Sequence, residues 1–381
     1  MIEKQVVSVY EKKYGHKPLK IFSPGRLNII GEHTDYNDGF VFPAAIDKGI
    51  YATFGLSDTS LCEVHALDME ERFEFDLNEI APLPRVGWEN YILGVVHGIM
   101  AKGKIIKPFR LIFGGNIPEG AGLSSSAALE NAVVFGLNEL FGLGLSKEEM
   151  ILISQRAEHE FVGVKCGIMD QFASMFGQKN KALLLDCRNI SARTFPIDLK
   201  DYQILLINTN VKHSLSDSAY NKRREVCEKV AALLGVKALR DANLKELSAI
   251  SFELSDEEFQ MARYVIEENE RTLAASQAMK ADDIASLGKL IYASHHGLQH
   301  QYKVSCEELD FLVDLTKEEP DIAGSRMMGG GFGGCTINII KKNVVERFAK
   351  KASAAYKEKF GRECSIYQVA ISDGTHTMPC Q

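Results

Sequence analysis

Apolar positions recur along the chain with two different periods, which predicts a protein that mixes strands and helices. Short apolar or alternating runs bounded by glycine, proline and polar residues are typical of strands. Such runs occur at residues 20–22, 39–42, 50–56, 109–113, 182–186 and 202–208. Because amphipathic stretches separate them, we expect a mixed α/β fold.

Helical periodicity is clear between residues 125 and 161. Apolar residues recur every three or four positions over 125–141, and Gly142 predicts the end of that helix. Ser146 and Glu149 have the spacing of a capping box, which predicts the start of a second helix that runs to about residue 161.

The second half of the chain has a different character. Residues 216–319 are mostly helical in pattern, with another capping box predicted at Ser305 and Glu308. The pattern then returns to strand, helix and strand at residues 335–340, 344–360 and 365–372. This change predicts an N-terminal domain at residues 1–195 and a C-terminal domain at residues 196–381.

Composition and charge exclude several classes of protein. Of 381 residues, 45% are hydrophobic and 25% are charged, which supports a folded core and argues against disorder. The net charge is −7 without a basic stripe, so we expect no nucleic-acid partner. The longest uncharged apolar stretch, residues 91–101, is far shorter than a membrane span of about 20 residues. The first residues lack a signal or transit pattern, so a cytoplasmic protein is expected.

A glycine–serine segment, IPEGAGLSSSAALENA at residues 117–132, lies between a predicted strand and a predicted helix. A turn at Gly120 and Gly122 would present unpaired N–H groups at a helix N-terminus, which favours a bound anion. No Lys or Arg lies between Asn116 and Ala128, so this is no Walker A loop, and a metal would have to neutralise a phosphate. The pattern favours a phosphate loop slightly over a plain strand–turn–helix connection with serine caps.

A second segment, SPGRLNIIGEHTDYNDGFVFPAAI at residues 23–46, collects charged side chains in a short polar stretch: Arg26, Glu32, His33, Asp35 and Asp38. Carboxylates in such a loop accept hydrogen bonds from sugar hydroxyls, and an analogue that lacks a hydroxyl leaves a buried acceptor unpaired. The segment could therefore form a sugar site, but composition alone favours a solvated turn.

A third segment, SRMMGGGFGGCTINII at residues 325–340, surrounds one Phe with five glycines ahead of a predicted strand. We expect it to form a tight backbone surface rather than an ordinary hairpin. Gly329, Gly331 and Gly334 match G-x-G-x-x-G, but they precede a strand instead of linking a strand to a helix. This order excludes a dinucleotide-dependent oxidoreductase.

Together and in this order, the segments resemble the GHMP small-molecule kinase superfamily, with PEGAGLSSSAA similar to its ATP loop and the third segment similar to its C-terminal glycine motif. GRLNIIGEHTDYNDG resembles the galactokinase-family signature nearly residue for residue, and GIMDQFAS and SDSAYNKRR resemble further segments of that family. The resemblance implies two α/β domains with ATP and sugar in the cleft between them. It also implies transfer of the ATP γ-phosphoryl group to the C1 hydroxyl of α-D-galactose, the first committed step of galactose catabolism.

The resemblance further implies roles for single residues, with Asp170 as the catalytic aspartate and Arg26 beside it. The implied sugar site consists of Glu32, His33, Thr34, Asp35, Gly167 and Tyr220. The implied ATP loop consists of Gly120, Ala121, Gly122, Leu123, Ser124, Ser125 and Ser126. Mg²⁺ would be held by the oxygen ligands of Ser126 and Glu158. The expected partners are galactose and ATP, and the chain is expected to be a monomer.

Two other functions stay open at this point. A sister sugar-1-kinase for N-acetylgalactosamine or arabinose would share most of these residues. A non-catalytic sensor of galactose and ATP would have an altered serine–alanine part of the ATP loop, whereas Ser126, Ala127 and Ala128 are intact here. In the glycine motif, Met328 stands where the family usually has Thr, which puts a hydroxyl contact there in doubt.

Overall fold

The computed structural model describes residues 2–85, 87–118, 120–212 and 216–379, and of residues 212 and 216–219 it describes the backbone only. The described residues form eleven helices: α1 Ile2–Tyr14, α2 Trp88–Ala101, α3 Ser125–Phe141, α4 Lys147–Ala157, α5 Met169–Phe176, α6 Ser216–Leu233, α7 Leu244–Ala249, α8 Asp256–Lys280, α9 Ile284–His300, α10 Glu307–Lys317 and α11 Val345–Phe360. They also form thirteen strands: β1 Leu19–Asn28, β2 Phe40–Val41, β3 Pro43–Leu56, β4 Cys62–Ala66, β5 Glu71–Phe75, β6 Phe109–Gly115, β7 Lys181–Asp186, β8 Ser191–Pro196, β9 Tyr202–Lys212, β10 Ile322–Met327, β11 Gly333–Lys341, β12 Ser365–Gln368 and β13 His376–Thr377.

The largest sheet of the described chain has six strands in the order β13-β1-β3-β6-β4-β5, and β4 and β6 are its parallel pair. Helices α2 to α5 contribute side chains such as Leu137 and Phe172 to the core that includes Phe54 of β3. Gly136 allows α3 to lie close to the sheet, because a Cβ there would be 2.2 Å from the Phe54 ring. The tight contact fixes α3, and with it the glycine–serine loop that precedes the helix.

Two smaller antiparallel sheets, β2-β7-β8 and β10-β11-β9-β12, complete the described strands. A second apolar core joins the two halves of the chain, since Leu27 and Phe42 pack in one cluster with Leu206, Leu287 and Ile337. The end of β1 and the start of β3 are therefore held against the C-terminal half. This contact brings the loop between them, which contains GEHTDY, beside the glycine-rich segment.

The mixed α/β prediction and several local predictions are confirmed. Helix α3 spans the predicted residues 125–141, and the Ser146–Glu149 capping box opens α4. The helical stretch continues past α4 as a π-helical turn, Glu158–Val162. Within the described ranges, none of the helices combines the length and apolar character needed to cross a bilayer.

Three local predictions are wrong. Helix α10 begins at Glu307 with Cys306 as its N-cap, and Ser305 donates to the Asp310 carboxylate instead of forming a capping box with Glu308. The glycines of the third segment connect β10 and β11, which pair antiparallel, so the segment does form a hairpin. Its glycine-rich loop nevertheless gives the tight backbone surface that was expected, since a Cβ at Gly331 would lie 2.1 Å from the carbonyl oxygen of Val304. The last predicted strand ends at Gln368 rather than at residue 372.

The division into domains at residues 195 and 196 stays a prediction. Most of the second half contributes to the four-stranded sheet and its helices, but β13 returns to the first sheet and pairs with β1, with Ile21 opposite Thr377.

Candidate active site

Two adjoining cavities lie where the ends of β1, α3 and α5 meet the β10–β11 loop. The acidic cavity is lined by four carboxylates, Glu32, Asp35, Glu158 and Asp170. The loop cavity is lined by the glycine–serine loop and by Gly329, Gly330 and Gly331. The two cavities share Arg26, Ser126, Val164, Asp170, Tyr220, Gly329 and Gly330. A group bound in one cavity would therefore meet a group bound in the other at this junction.

The junction contains a bidentate ion pair. Arg26 of β1 donates from Nε to Asp170 Oδ1 and from Nη2 to Asp170 Oδ2, both at 2.8 Å. Arg26 is 4% exposed, and burial alone would lower the pKa of its guanidinium, but the charges of Asp170 and Glu32 raise it overall. Ser124 also donates to Asp170 Oδ2. The Asp170 carboxylate is thus oriented from two sides while it still faces both cavities.

The glycine–serine loop makes the turn that its sequence predicts. Gly120, Gly122 and Ser124 have φ of 63°, 68° and 59°, in the left-handed region, and α3 begins directly after them. The carbonyl oxygen of Gly122 accepts from Arg26 Nη1 at 2.6 Å, which ties the loop to the ion pair. The side chains of Ala121 and Leu123 are buried in the core that joins the two halves, and this packing holds the loop in place.

Glu32 is held by the C-terminal half of the chain. Its Oε1 accepts from both terminal nitrogens of Arg326, each at 3.1 Å, and from the backbone N–H of Gly329 at 2.8 Å. Arg326 is fully buried and also donates to the carbonyl oxygens of Asn28, Ile29 and Met327. One carboxylate oxygen of Glu32 is therefore saturated by protein donors. Arg326 is not among the predicted site residues, although it lies within the third segment, three residues before Gly329.

Asp35 faces Gly167 across the acidic cavity. A Cβ at position 167 would lie 2.0 Å from Asp35 Oδ2, so glycine is needed there to admit the carboxylate. Burial, reinforced by the nearby charge of Asp170, raises the pKa of Asp35 to about 7. Asp35 Oδ1 accepts from the N–H of Tyr36 at 3.0 Å, which orients the carboxyl group.

His33 packs among tyrosine rings on the wall of the acidic cavity. Its ring centroid lies 5.4 Å from that of Tyr220 and 5.0 Å from that of Tyr302. Burial, aided by the charge of Arg223, lowers the pKa of His33 to about 3, so the imidazole is neutral at physiological pH. Its Nδ1 lies 2.8 Å from the hydroxyl of Tyr36.

Thr34 does not line either cavity, unlike the other predicted sugar-site residues. It is fully buried, and its hydroxyl donates to the carbonyl oxygens of Gly31 and Phe40. Its contacts stabilise the shape of the loop. Met328 likewise points away from the cavities, because it packs in the shared core with its sulfur 3.4 Å from the N–H of Asn28.

Glu158 and Ser126 lie on the wall of the acidic cavity and could hold a metal together with a phosphate. Within the described ranges, no group of three or more His, Cys, Asp or Glu side chains could hold a metal alone. Among the described residues that line the loop cavity, Arg26 is the cation, and Asp170 already neutralises it. Oxygen donors beside a cavity whose described lining offers no unneutralised cation fit Mg²⁺.

The fold and these cavities define a GHMP kinase. The family models described as "GHMP kinases N terminal domain" and "GHMP kinases C terminal" match residues 90–178 and 275–358. The "Galactokinase galactose-binding signature" matches residues 8–56. The chain is 42% identical over 356 residues to a galactokinase of Thermotoga neapolitana, covering 93% of this chain and 99% of that protein. It is 41% identical over 362 residues to a galactokinase of Chloroflexus aurantiacus, covering 93% of each. The chain belongs to the galactokinase family.

Solved structures agree with this assignment. The Lactococcus lactis galactokinase complexed with galactose superposes with a TM-score of 0.95 at 33% identity, covering 99% of this chain and all of that one. The Methanococcus jannaschii mevalonate kinase superposes with a TM-score of 0.64 at 17% identity, covering 94% of this chain and 99% of that one, and it shares the fold alone.

Proposed function

We propose that this galactokinase-family protein transfers the γ-phosphoryl group of ATP to the C1 hydroxyl of α-D-galactose, giving galactose 1-phosphate and ADP. One observation carries the proposal: the Arg26–Asp170 pair lies at the junction of the acidic cavity and the loop cavity. A sugar in the first cavity and a triphosphate in the second would bring acceptor hydroxyl and phosphoryl group together beside Asp170. The monomeric state and cytoplasmic location stay predictions.

The acidic cavity suits a neutral sugar. Asp35 and the free oxygen of Glu32 can accept hydrogen bonds from hydroxyls, including the axial one that distinguishes galactose from glucose. Tyr220 and the neutral ring of His33 offer an apolar surface with polar atoms at its edge. We assign galactose recognition to these residues and to Gly167.

The loop cavity suits a triphosphate. The backbone of Gly120 to Ser126 turns through left-handed conformations into the N-terminus of α3, where N–H groups and the helix dipole attract an anion. We assign ATP phosphate binding to this loop, with Gly330 on the opposite wall of the cavity.

Phosphoryl transfer depends mainly on positioning and electrostatic stabilisation, because its transition state is loose. Asp170 aligns the C1 hydroxyl and accepts its proton as the bond to phosphorus forms. Arg26 keeps the Asp170 carboxylate oriented through its two hydrogen bonds. Mg²⁺ held by Ser126, Glu158 and the phosphates would neutralise charge that develops on the phosphate oxygens.

The metal assignment makes a separate prediction. Glu158→Gln should raise the Mg²⁺ concentration needed for half-maximal rate by about tenfold or more, because the amide is a weaker ligand than the carboxylate. Galactose affinity should stay within about twofold of the wild-type value. The measurement is initial rate against free Mg²⁺, with Glu160→Gln, an exposed neighbour in the same π-helical turn, as control. Wild-type Mg²⁺ dependence in Glu158→Gln would remove Glu158 from the metal site.

Galactose binding should depend on pH through Asp35. The ionised carboxylate is the better acceptor, so affinity should rise about tenfold between pH 6 and pH 8 across a pKa of about 7. Because the folded pKa lies above the unfolded one, the stability that protonated Asp35 contributes is lost between about pH 4 and pH 7. Calorimetric titration with galactose at both pH values is the measurement.

Two variants control this pH experiment. Asp35→Asn should bind galactose weakly and without the pH dependence, whereas Asp38→Asn, in the same loop but outside both cavities, should keep it. A wild-type affinity that is flat between pH 6 and pH 8 contradicts the role given to the Asp35 carboxylate.

Product analysis tests the function itself. Incubation with ATP, Mg²⁺ and galactose should give galactose 1-phosphate, identified by phosphorus NMR. Parallel incubations with N-acetylgalactosamine, arabinose and glucose separate a galactokinase from a sister sugar-1-kinase. Binding of galactose and ATP without turnover would instead indicate a sensor protein.

A further inference from the structure

The loop that carries the sugar-site residues, here called the sugar loop (residues 31–40), lies on one face of helix α8. Three side chains of α8 bond to its backbone. The Tyr264 hydroxyl donates to the carbonyl oxygen of Glu32 at 3.0 Å. Glu268 Oε1 accepts from the N–H of Gly31 at 3.0 Å, and Asn269 Oδ1 accepts from the N–H of Phe40 at 2.9 Å. Both ends of the sugar loop are therefore bonded to a single helix of the C-terminal half.

The three side chains form a rigid platform. Tyr264 and Glu268 are four residues apart, so they share a face of α8, and Asn269 adjoins them. Tyr264 and Glu268 are completely buried, and Asn269 is nearly so. Glu268 is itself held by Ser294 of α9 at 2.6 Å and by Arg271 at 2.6 Å. Water does not compete for hydrogen bonds that are buried in this way, so the three side chains keep a fixed geometry.

The glycines of the sugar loop point to the same contact. A Cβ at Gly39 would lie 2.4 Å from Asn269 Oδ1, and a Cβ at Gly31 would lie 2.9 Å from Thr272 Oγ1 of α8. Gly31 also has a φ of 98°, which other residues rarely adopt. The sugar loop can lie this close to α8 only because both positions lack a side chain.

We propose that Tyr264, Glu268 and Asn269 are positioning residues for sugar recognition: through the backbone of the sugar loop, they set where Glu32, His33 and Asp35 stand in the acidic cavity. The inference rests on the proposed galactose site. None of the three side chains lines either cavity, so each acts through the loop. The inference assigns part of galactose affinity to a helix more than 200 residues away in sequence from the residues that face the sugar.

The test compares two tyrosines. Tyr264→Phe removes one hydroxyl whose hydrogen bond goes to the sugar loop. Tyr356→Phe removes an equally buried hydroxyl that donates to the carbonyl oxygen of Thr209 at 2.8 Å, away from both cavities. The melting temperatures of the two variants should be lowered by similar amounts. Only Tyr264→Phe should raise the KM for galactose, by about three- to tenfold, with the KM for ATP unchanged.

Asn269 provides the second measurement. Asn269→Ala should raise the KM for galactose. Asn269→Asp keeps the acceptor for the N–H of Phe40, so its KM for galactose should lie close to the wild-type value. Equal changes in the KM for galactose and for ATP, or no change in either KM in Tyr264→Phe and Asn269→Ala, overturn the inference.

Hydrogen exchange at the amides of Gly31 and Phe40 tests the positioning contact without turnover. If the wild type makes no galactose 1-phosphate, the proposed function fails, but the exchange experiment still tests the positioning contact. Faster amide exchange in Tyr264→Phe and Asn269→Ala than in Tyr356→Phe supports that contact. Equal exchange rates in the three variants overturn it.

Discussion

Asp170→Asn should fold, bind galactose and ATP within several-fold of wild type, and lose at least about a hundredfold in turnover. The amide keeps the shape of the carboxylate but cannot take the C1 proton, and loss of general base catalysis typically costs about 10²–10⁴-fold. It also leaves Arg26 without its bidentate partner. Glu32 and Asp35 remain nearby, and their charges continue to act on the guanidinium. The measurements are kcat, substrate affinities and melting temperature on one preparation.

A matched variant separates chemistry from loss of an ion pair. Asp186 forms a bidentate pair with Arg240 outside both cavities, and its side chain is 19% exposed against 29% for Asp170. Asp186→Asn should lower the melting temperature by a similar amount and keep kcat within a few-fold. A helix-capping role for Asp170 does not fit the structure, because Ile168 is the N-cap of α5 and the Asp170 carboxylate bonds to Arg26 and Ser124. Full turnover in Asp170→Asn would contradict the role proposed here.

Local sequence patterns predicted the elements whose signals are local. Helix α3 combines a long apolar period with Gly142 as its αL C-cap, and α4 begins at a capping box. The sequence Ser305 to Glu308 has the same capping pattern, yet Ser305 bonds to Asp310, because the helix begins one residue later than this pattern predicts. Five strands were missed, each of six residues or fewer: β4, β5, β8, β10 and β13. Strands this short carry weak periodicity, although β7 and β12 are as short and were predicted.

The candidate site was predicted largely from resemblance, because the residues that face the cavities lie in segments with recognisable order. Residues that hold the cavity-lining residues in place, without lining a cavity themselves, lie in no such recognisable segment. Arg326 reaches Glu32 across 294 positions of sequence, and Tyr264 reaches it across 232. No local pattern encodes such a pairing, because it depends on how the C-terminal half packs on the end of β1. The one available signal was a single arginine in the third segment, three residues before its first glycine.

Arg326 makes the last prediction, since its removal should affect stability and sugar binding together. Arg326→Met would leave Glu32, which is 2% exposed, with the N–H of Gly329 as its remaining donor among these groups, and would deprive three backbone carbonyls of their partner. Breaking a buried ion pair from one side costs about 3–5 kcal/mol of unfolding free energy. Arg326→Met should therefore unfold at markedly lower urea concentration, and it should not bind galactose detectably.

Arg326→Lys distinguishes a loss of sugar binding from a loss of folding. The ammonium keeps the charge but cannot serve Glu32 and three carbonyl oxygens from one nitrogen, so the Glu32 carboxylate should lose its fixed orientation. We expect a folded protein whose Kd for galactose rises at least about tenfold, while the Kd for ATP changes by less than about threefold. Arg110→Lys is the matched control, because Arg110 is also buried and pairs with Asp58 and Glu63 far from the cavities. It should lose stability without a change in galactose affinity. If Arg326→Lys binds galactose like the wild type, Glu32 is oriented by Gly329 alone; if both substrates weaken equally, Arg326 holds the whole cleft rather than the sugar site.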